Sequence, residues 1–105
     1  MSIEYQVVYW RDIPAQVKIR NRRERIGREL PERFQKAIDR AAMLAGLTST
    51  DGYLEEWHTS DWVVVDEAFQ TLEPSQVAEK LLQEIESRYL PDRIQSIISN
   101  KGFLP

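Results

Sequence analysis

The chain has 105 residues, 42% of them hydrophobic and 30% charged, with three Trp, four Tyr, three Phe, no cysteine and a formal net charge of −3. This is the composition of a globular chain, long enough to bury one core without staples, and it reads as one domain over residues 1–105. The absence of cysteine excludes disulfides, thiolate metal sites and cysteine nucleophiles, and suits a reducing compartment.

Ile3–Trp10 reads as a strand, with Ile3, Tyr5, Val7 and Tyr9 on one apolar face and Val8 and Trp10 adding apolar surface to the other. Arg11–Pro14 turns the chain, Pro14 fixing its own φ and restricting Ile13. Ala15–Arg20 alternates: Ala15, Val17 and Ile19 inward, Gln16, Lys18 and Arg20 outward. A turn separates the two segments, so they are expected to pair antiparallel. Asn21–Glu24 is expected as a hairpin turn into a short third strand over Arg25–Leu30. A helical turn with Glu24–Arg28 and Arg25–Glu29 pairs is the alternative, with Gly27 against it.

The first helix starts near Pro31, which suits a helix start, and Leu30 is placed to staple onto Phe34. Phe34, Ala37, Ile38, Ala41, Ala42, Leu44 and Ala45 recur at helical spacing, and Gly46 fits the residue after the C-cap. Residues 48–52 read as loop. Residues 53–59 read as one arm of a hairpin around Thr59–Asp61, or as a short helix capped by Thr50. The second arm is Trp62–Phe69, with Val63–Val65 expected as a well-buried strand. Glu73-Pro74 opens a second helix striped by Val77, Ala78, Leu81, Leu82 and Ile85, ended by Leu90-Pro91. Asp92 is placed to cap a last short helix carrying Ile94, Ile97 and Ile98. The predicted fold is α+β: an antiparallel sheet of three to four strands, two main helices packed on one face and a short C-terminal helix.

Charge is distributed unevenly along this framework. Residues 11–40 hold ten basic and five acidic groups, whereas residues 41–105 hold four basic and eleven acidic. The densest run is Lys18, Arg20, Arg22, Arg23, Arg25, Arg28 and Arg33. With Arg11, the residues from Lys18 to Arg28 are the candidate partner- or anion-binding groups, and Trp10, outward beside Arg11, is a candidate interface aromatic. The competing readings are a solvated hairpin paired with Glu24, Glu29, Glu32 and the acidic second half, and a Trp10 that lies under a helix or against Trp57. A sequence pI near 5.2 and the lack of interleaved aromatics argue against nucleic acid.

No constellation supports catalysis. His58, Ser60 and Asp61 are sequence neighbours in a turn, where local polar chemistry accounts for them. Carboxylates at Glu55, Glu56, Asp61, Asp66 and Glu67 have no ligand spacing, and glycines at 27, 46, 52 and 102 form no phosphate loop. No catalytic residue, metal ligand or cofactor is therefore expected. No window approaches the ~20 apolar residues of a membrane span, and the first residues lack the pattern of a secretory leader, so the expected location is the cytoplasm.

The phrases Val8–Val17, Arg28–Phe34, Ala37–Met43, Ala45–Leu47 and Thr50-Asp51 with Tyr53, Leu54 and Trp57 resemble the small bacterial virulence factor domain family. The resemblance covers roughly residues 5–65. It implies a compact bacterial cytoplasmic domain and carries no catalytic or cofactor residue with it. The expected function is a non-enzymatic interaction or accessory module that docks an acidic protein through the basic hairpin. The alternative is a small enzyme or ligand-binding domain gripping a phosphorylated or carboxylated metabolite with Arg11, Arg20 and Arg28.

Overall fold

The computed structural model describes residues 2–47 and 49–105. Its centre is an antiparallel sheet. β1 (Glu4–Trp10) pairs with β2 (Ile13–Arg20), and β2 with β3 (Arg25–Glu29). On its other side β1 pairs with two short segments in succession, β4 (Trp57–Thr59) and β5 (Val63–Val64). The expected hairpin between residues 53–59 and 62–69 is therefore corrected: its arms do not pair with each other but line up along β1 as one interrupted edge strand. Ser60 spans the interruption. Its N–H donates to Val7 O at 2.9 Å, its Oγ accepts from the Val7 N–H at 2.9 Å, and its carbonyl accepts from Gln6 Nε2. Val63 and Val64, expected buried, are 46% and 54% exposed because β5 is the sheet margin; Val65 alone of the three is buried.

The β1–β2 turn is tighter than the sequence suggested. It consists of Arg11 and Asp12, and Pro14 already lies in β2 opposite Tyr9. The register steps between Val8–Gln16 and Tyr9–Pro14, leaving Ala15 as a bulge. The bulge gives buried Pro14 the inward place assigned to Ala15, while Val17 and Ile19 stay inward as expected. Residues 21–24 form the hairpin turn, with Asn21 Oδ1 accepting from the N–H groups of Arg23 and Glu24.

Four α-helices complete the fold among the described residues. α1 (Glu32–Leu44) follows Pro31 and buries Phe34, Ala37, Ile38, Ala41 and Ala42. It ends in a Schellman motif: the Leu47 N–H reaches Ala42 O, the Gly46 N–H reaches Met43 O, and Gly46 takes φ +74°. α2 (Thr50–Leu54) replaces part of the expected loop, whose Thr48 lies outside the described residues. Ser49, not Thr50, is its cap, accepting from the Gly52 N–H. A 3₁₀ turn at Glu67–Phe69 takes the place of the later part of the expected second arm. α3 (Pro74–Arg88) opens with a capping box between Glu73 and Gln76, and its Val77, Ala78, Leu81 and Ile85 join the core. α4 (Pro91–Ser99) starts behind Leu90 with no side-chain cap, so Asp92 lies in the first turn rather than capping it.

The buried apolar residues form one cluster. α3 packs against β2 and β3, and α1 packs against β2 and α4. The opposite face of the sheet carries Glu4, Gln6, Gln16, Lys18 and Arg20, and is covered at its far end, over Trp10, by α2 and the segment after α4.

Candidate functional site

The basic run does not act as one unit. Arg11 stands at one end of the sheet, while Lys18, Arg20, Arg22, Arg23, Arg25 and Arg28 gather at and beside the β2–β3 hairpin at the other. Arg11 and Arg20 are nine residues apart along an extended hairpin arm, roughly 25–30 Å at strand rise. The three-arginine grip of Arg11, Arg20 and Arg28 is thus not assembled.

Arg11 is a fastener. It takes a left-handed φ of +51° at the turn, and its N–H donates to Glu56 O. Its guanidinium donates to Glu56 Oε1 at 2.9 Å and to Lys101 O at 2.8 Å, and lies over the rings of Trp10 and Phe103. Its carbonyl accepts from His58 Nε2. His58 stacks on Tyr9, and Ser60 Oγ is engaged by Val7. His58 and Ser60 of the cluster that sequence set apart thus have structural partners, while Asp61 is exposed.

Trp10 is not an interface aromatic. It is completely buried, stacks on Tyr53 and donates from Nε1 to Tyr53 O at 2.9 Å. The expectation that it faced outward overlooked α2 and the segment after α4, which cover the second face of the hairpin end. Arg20 is half committed: Nε donates to Glu4 Oε1 at 3.0 Å, and the guanidinium lies 4.0 Å from the Trp62 ring centroid.

The remaining cations form the candidate surface. Lys18, Arg22, Arg23, Arg25 and Arg28 are all exposed. Among the described residues the ion pairs are Arg11–Glu56 and Arg20–Glu4, so none of these five is paired. Arg28 makes only a local bond, from Nη1 to Gly27 O. At the tip, Arg20, Arg22, Arg23 and Arg25 rim a shallow concavity of about 420 Å³. Cross-strand register puts Lys18, Arg20 and Arg25 on the open face of the sheet, because Lys18 opposes Gly27 and Arg20 opposes Arg25.

The virulence factor family matches residues 8–98. The chain belongs to the virulence factor family. No curated protein and no solved structure matches it. The family match spans the whole β2–β3 hairpin, α1 to α3 and all but the last residue of α4, and its description names no reaction, ligand or partner.

A second basic feature of this virulence factor domain escaped the sequence reading. Between α1 and α4 runs a groove of about 490 Å³ with an apolar floor of Ala37, Ile94 and Ile98 and a rim of Arg33, Lys36 and Arg40. The spacing of the three cations along α1 was visible, but the packing of α4 beside them was not. No cluster of three or more His, Asp or Glu side chains able to hold a metal ion occurs among the described residues, and no described helix is long and apolar enough to cross a membrane.

Proposed function

We propose that the chain is a non-enzymatic protein-interaction module of the bacterial cytoplasm that docks an acidic surface of a partner protein through the β2–β3 hairpin. Lys18, Arg22, Arg23 and Arg25 are the contact cations. The observation that supports this reading is their lack of internal ion pairing: the two ion pairs among the described residues leave the hairpin cations to solvent or to a partner. Arginine at such a surface offers a planar fork that matches carboxylates in pairs. An acidic chain with a net charge of −3 gains selectivity from a local patch of opposite sign, since its overall charge repels acidic partners.

The test is co-purification from native lysate with three proteins: wild type, Arg22→Glu/Arg23→Glu, and Lys36→Glu/Arg40→Glu on α1. A partner should be retained by the wild type and the α1 variant, lost with the tip variant, and released by raising salt through the Debye-screening range. A partner retained by the tip variant and lost with the α1 variant moves the interface to the α1–α4 groove and defeats this reading.

A further inference from the structure

β3 is an open sheet edge, and its sequence is complementary to itself. The Asn21 N–H donates to Glu24 O and the Leu30 N–H to Ala15 O. Hydrogen-bonded pairs alternate along an antiparallel ladder, so Ile26 and Arg28 turn their backbone groups to β2, opposite Ile19 and Val17. Arg25, Gly27 and Glu29 therefore turn their backbone N–H and C=O groups outward, away from the sheet. All three residues are exposed. The Gly27 carbonyl is met only by the Arg28 guanidinium of the same strand, at 3.0 Å.

We propose that β3 pairs antiparallel with β3 of a second copy of this chain about a twofold axis through Gly27, forming a homodimer with one continuous sheet. In that register Arg25 stands opposite Glu29 of the second copy, Glu29 opposite Arg25, and Gly27 opposite Gly27. These are the residues whose backbone groups point outward, so each pair exchanges both of its hydrogen bonds. Their side chains also share one face of the sheet, which sets each Arg25 guanidinium beside a Glu29 carboxylate across the seam. The pattern is isologous, as a twofold interface requires: the same patch serves both partners.

Two five-residue strands bury less than the ~1,200 Å² of a stable interface, so the dimer forms and dissociates with concentration rather than permanently. It leaves Arg22 and Arg23 outside the paired strands and does not depend on the partner docking proposed above.

Sedimentation velocity from about 1 µM to about 500 µM tests it on the whole chain. Wild type should shift from monomer to dimer within that range. Glu29→Arg and Arg25→Glu each set like charges face to face twice in the dimer and should weaken association at least about tenfold. The double variant Arg25→Glu/Glu29→Arg should restore it. Circular dichroism confirms that each variant is folded, as is expected at exposed positions. A wild type that stays monomeric overturns the proposal. So does a dimer that ignores the single reversals, or one that the double variant fails to restore. Because the readout is mass of the isolated chain and Glu29→Arg leaves every proposed contact cation in place, this result is independent of the co-purification experiment.

Discussion

Gly102 lies against the indole of Trp10: a Cβ built on it would stand 2.8 Å from Trp10 Cζ3 and 3.1 Å from Arg11 Cδ. Gly102 also has φ +96°, and Lys101 before it has φ +62°, so the chain leaves α4 through two left-handed residues. Gly102→Ala adds a clash to an unfavourable backbone conformation and should lower stability by about 2–4 kcal/mol, read as a drop in the urea midpoint. Gly46→Ala is the control. Its φ of +74° carries the same backbone strain, but no atom lies within 4 Å, so its loss should be clearly smaller.

Arg11 should resist conservative replacement. Its guanidinium reaches Glu56 and Lys101 O at once while stacked between Trp10 and Phe103, a set of contacts that an ammonium cannot reproduce. Arg11→Lys should cost about 1–2 kcal/mol. A double-mutant cycle of Arg11→Ala with Glu56→Ala should show a coupling of about 0.5–1.5 kcal/mol, since the pair is only partly screened by solvent. Zero coupling would show that the stacking, not the ion pair, holds the turn.

Ser60 holds together a strand that the chain itself interrupts. Ser60→Ala leaves the Val7 N–H in the sheet centre without its acceptor, at a cost of about 1–3 kcal/mol. Hydrogen exchange at Val7 should rise in that variant more than at Val17, whose neighbours are unchanged.

Burial pushes the Tyr9 phenol above its ordinary value of 10.0, and Tyr89 and Tyr5 nearby add to the effect. A raised pKa in the folded state means that the unfolded chain releases this proton first. The contribution to stability is complete below the unfolded value and is lost as pH rises through the folded one. Between about pH 9 and about pH 11, Tyr9→Phe should therefore lose less stability than wild type, measured as thermal midpoint against pH. Parallel curves would contradict this.

Much of the architecture could be read from periodicity and punctuation. Pro31, Pro74 and Pro91 mark helix starts, Gly46 marks a helix end, and the alternation of Val17 and Ile19 with Lys18 marks β2. The unread parts are those decided by contacts between distant segments. Val63 and Val64 look like a buried strand, yet they lie at the sheet margin because the strand slot beside β1 is shared with residues 57–59. Trp10 sits on the face of β1 opposite Tyr9, and its burial depends on Tyr53 and Gly102, far along the chain. The candidate surface divided along the same line. The exposed cations of the hairpin were legible as a local cluster of charge, whereas the structural duty of Arg11 depends on residues 45 and 90 positions away.

The ties from the β1–β2 turn to the segment after α4 also set a schedule. The Leu104 N–H donates to Asp12 Oδ2, and the Asp12 N–H donates to Gly102 O. On the ribosome the hairpin emerges first, and the residues that close over Trp10 follow about 90 positions later, roughly 5–20 seconds at ordinary elongation rates. For that interval a nascent chain carries an indole and an arginine side by side with only Tyr53 and Glu56, some 43 and 45 positions on, to cover them. Association at this spot is a hazard of synthesis that the finished protein no longer displays.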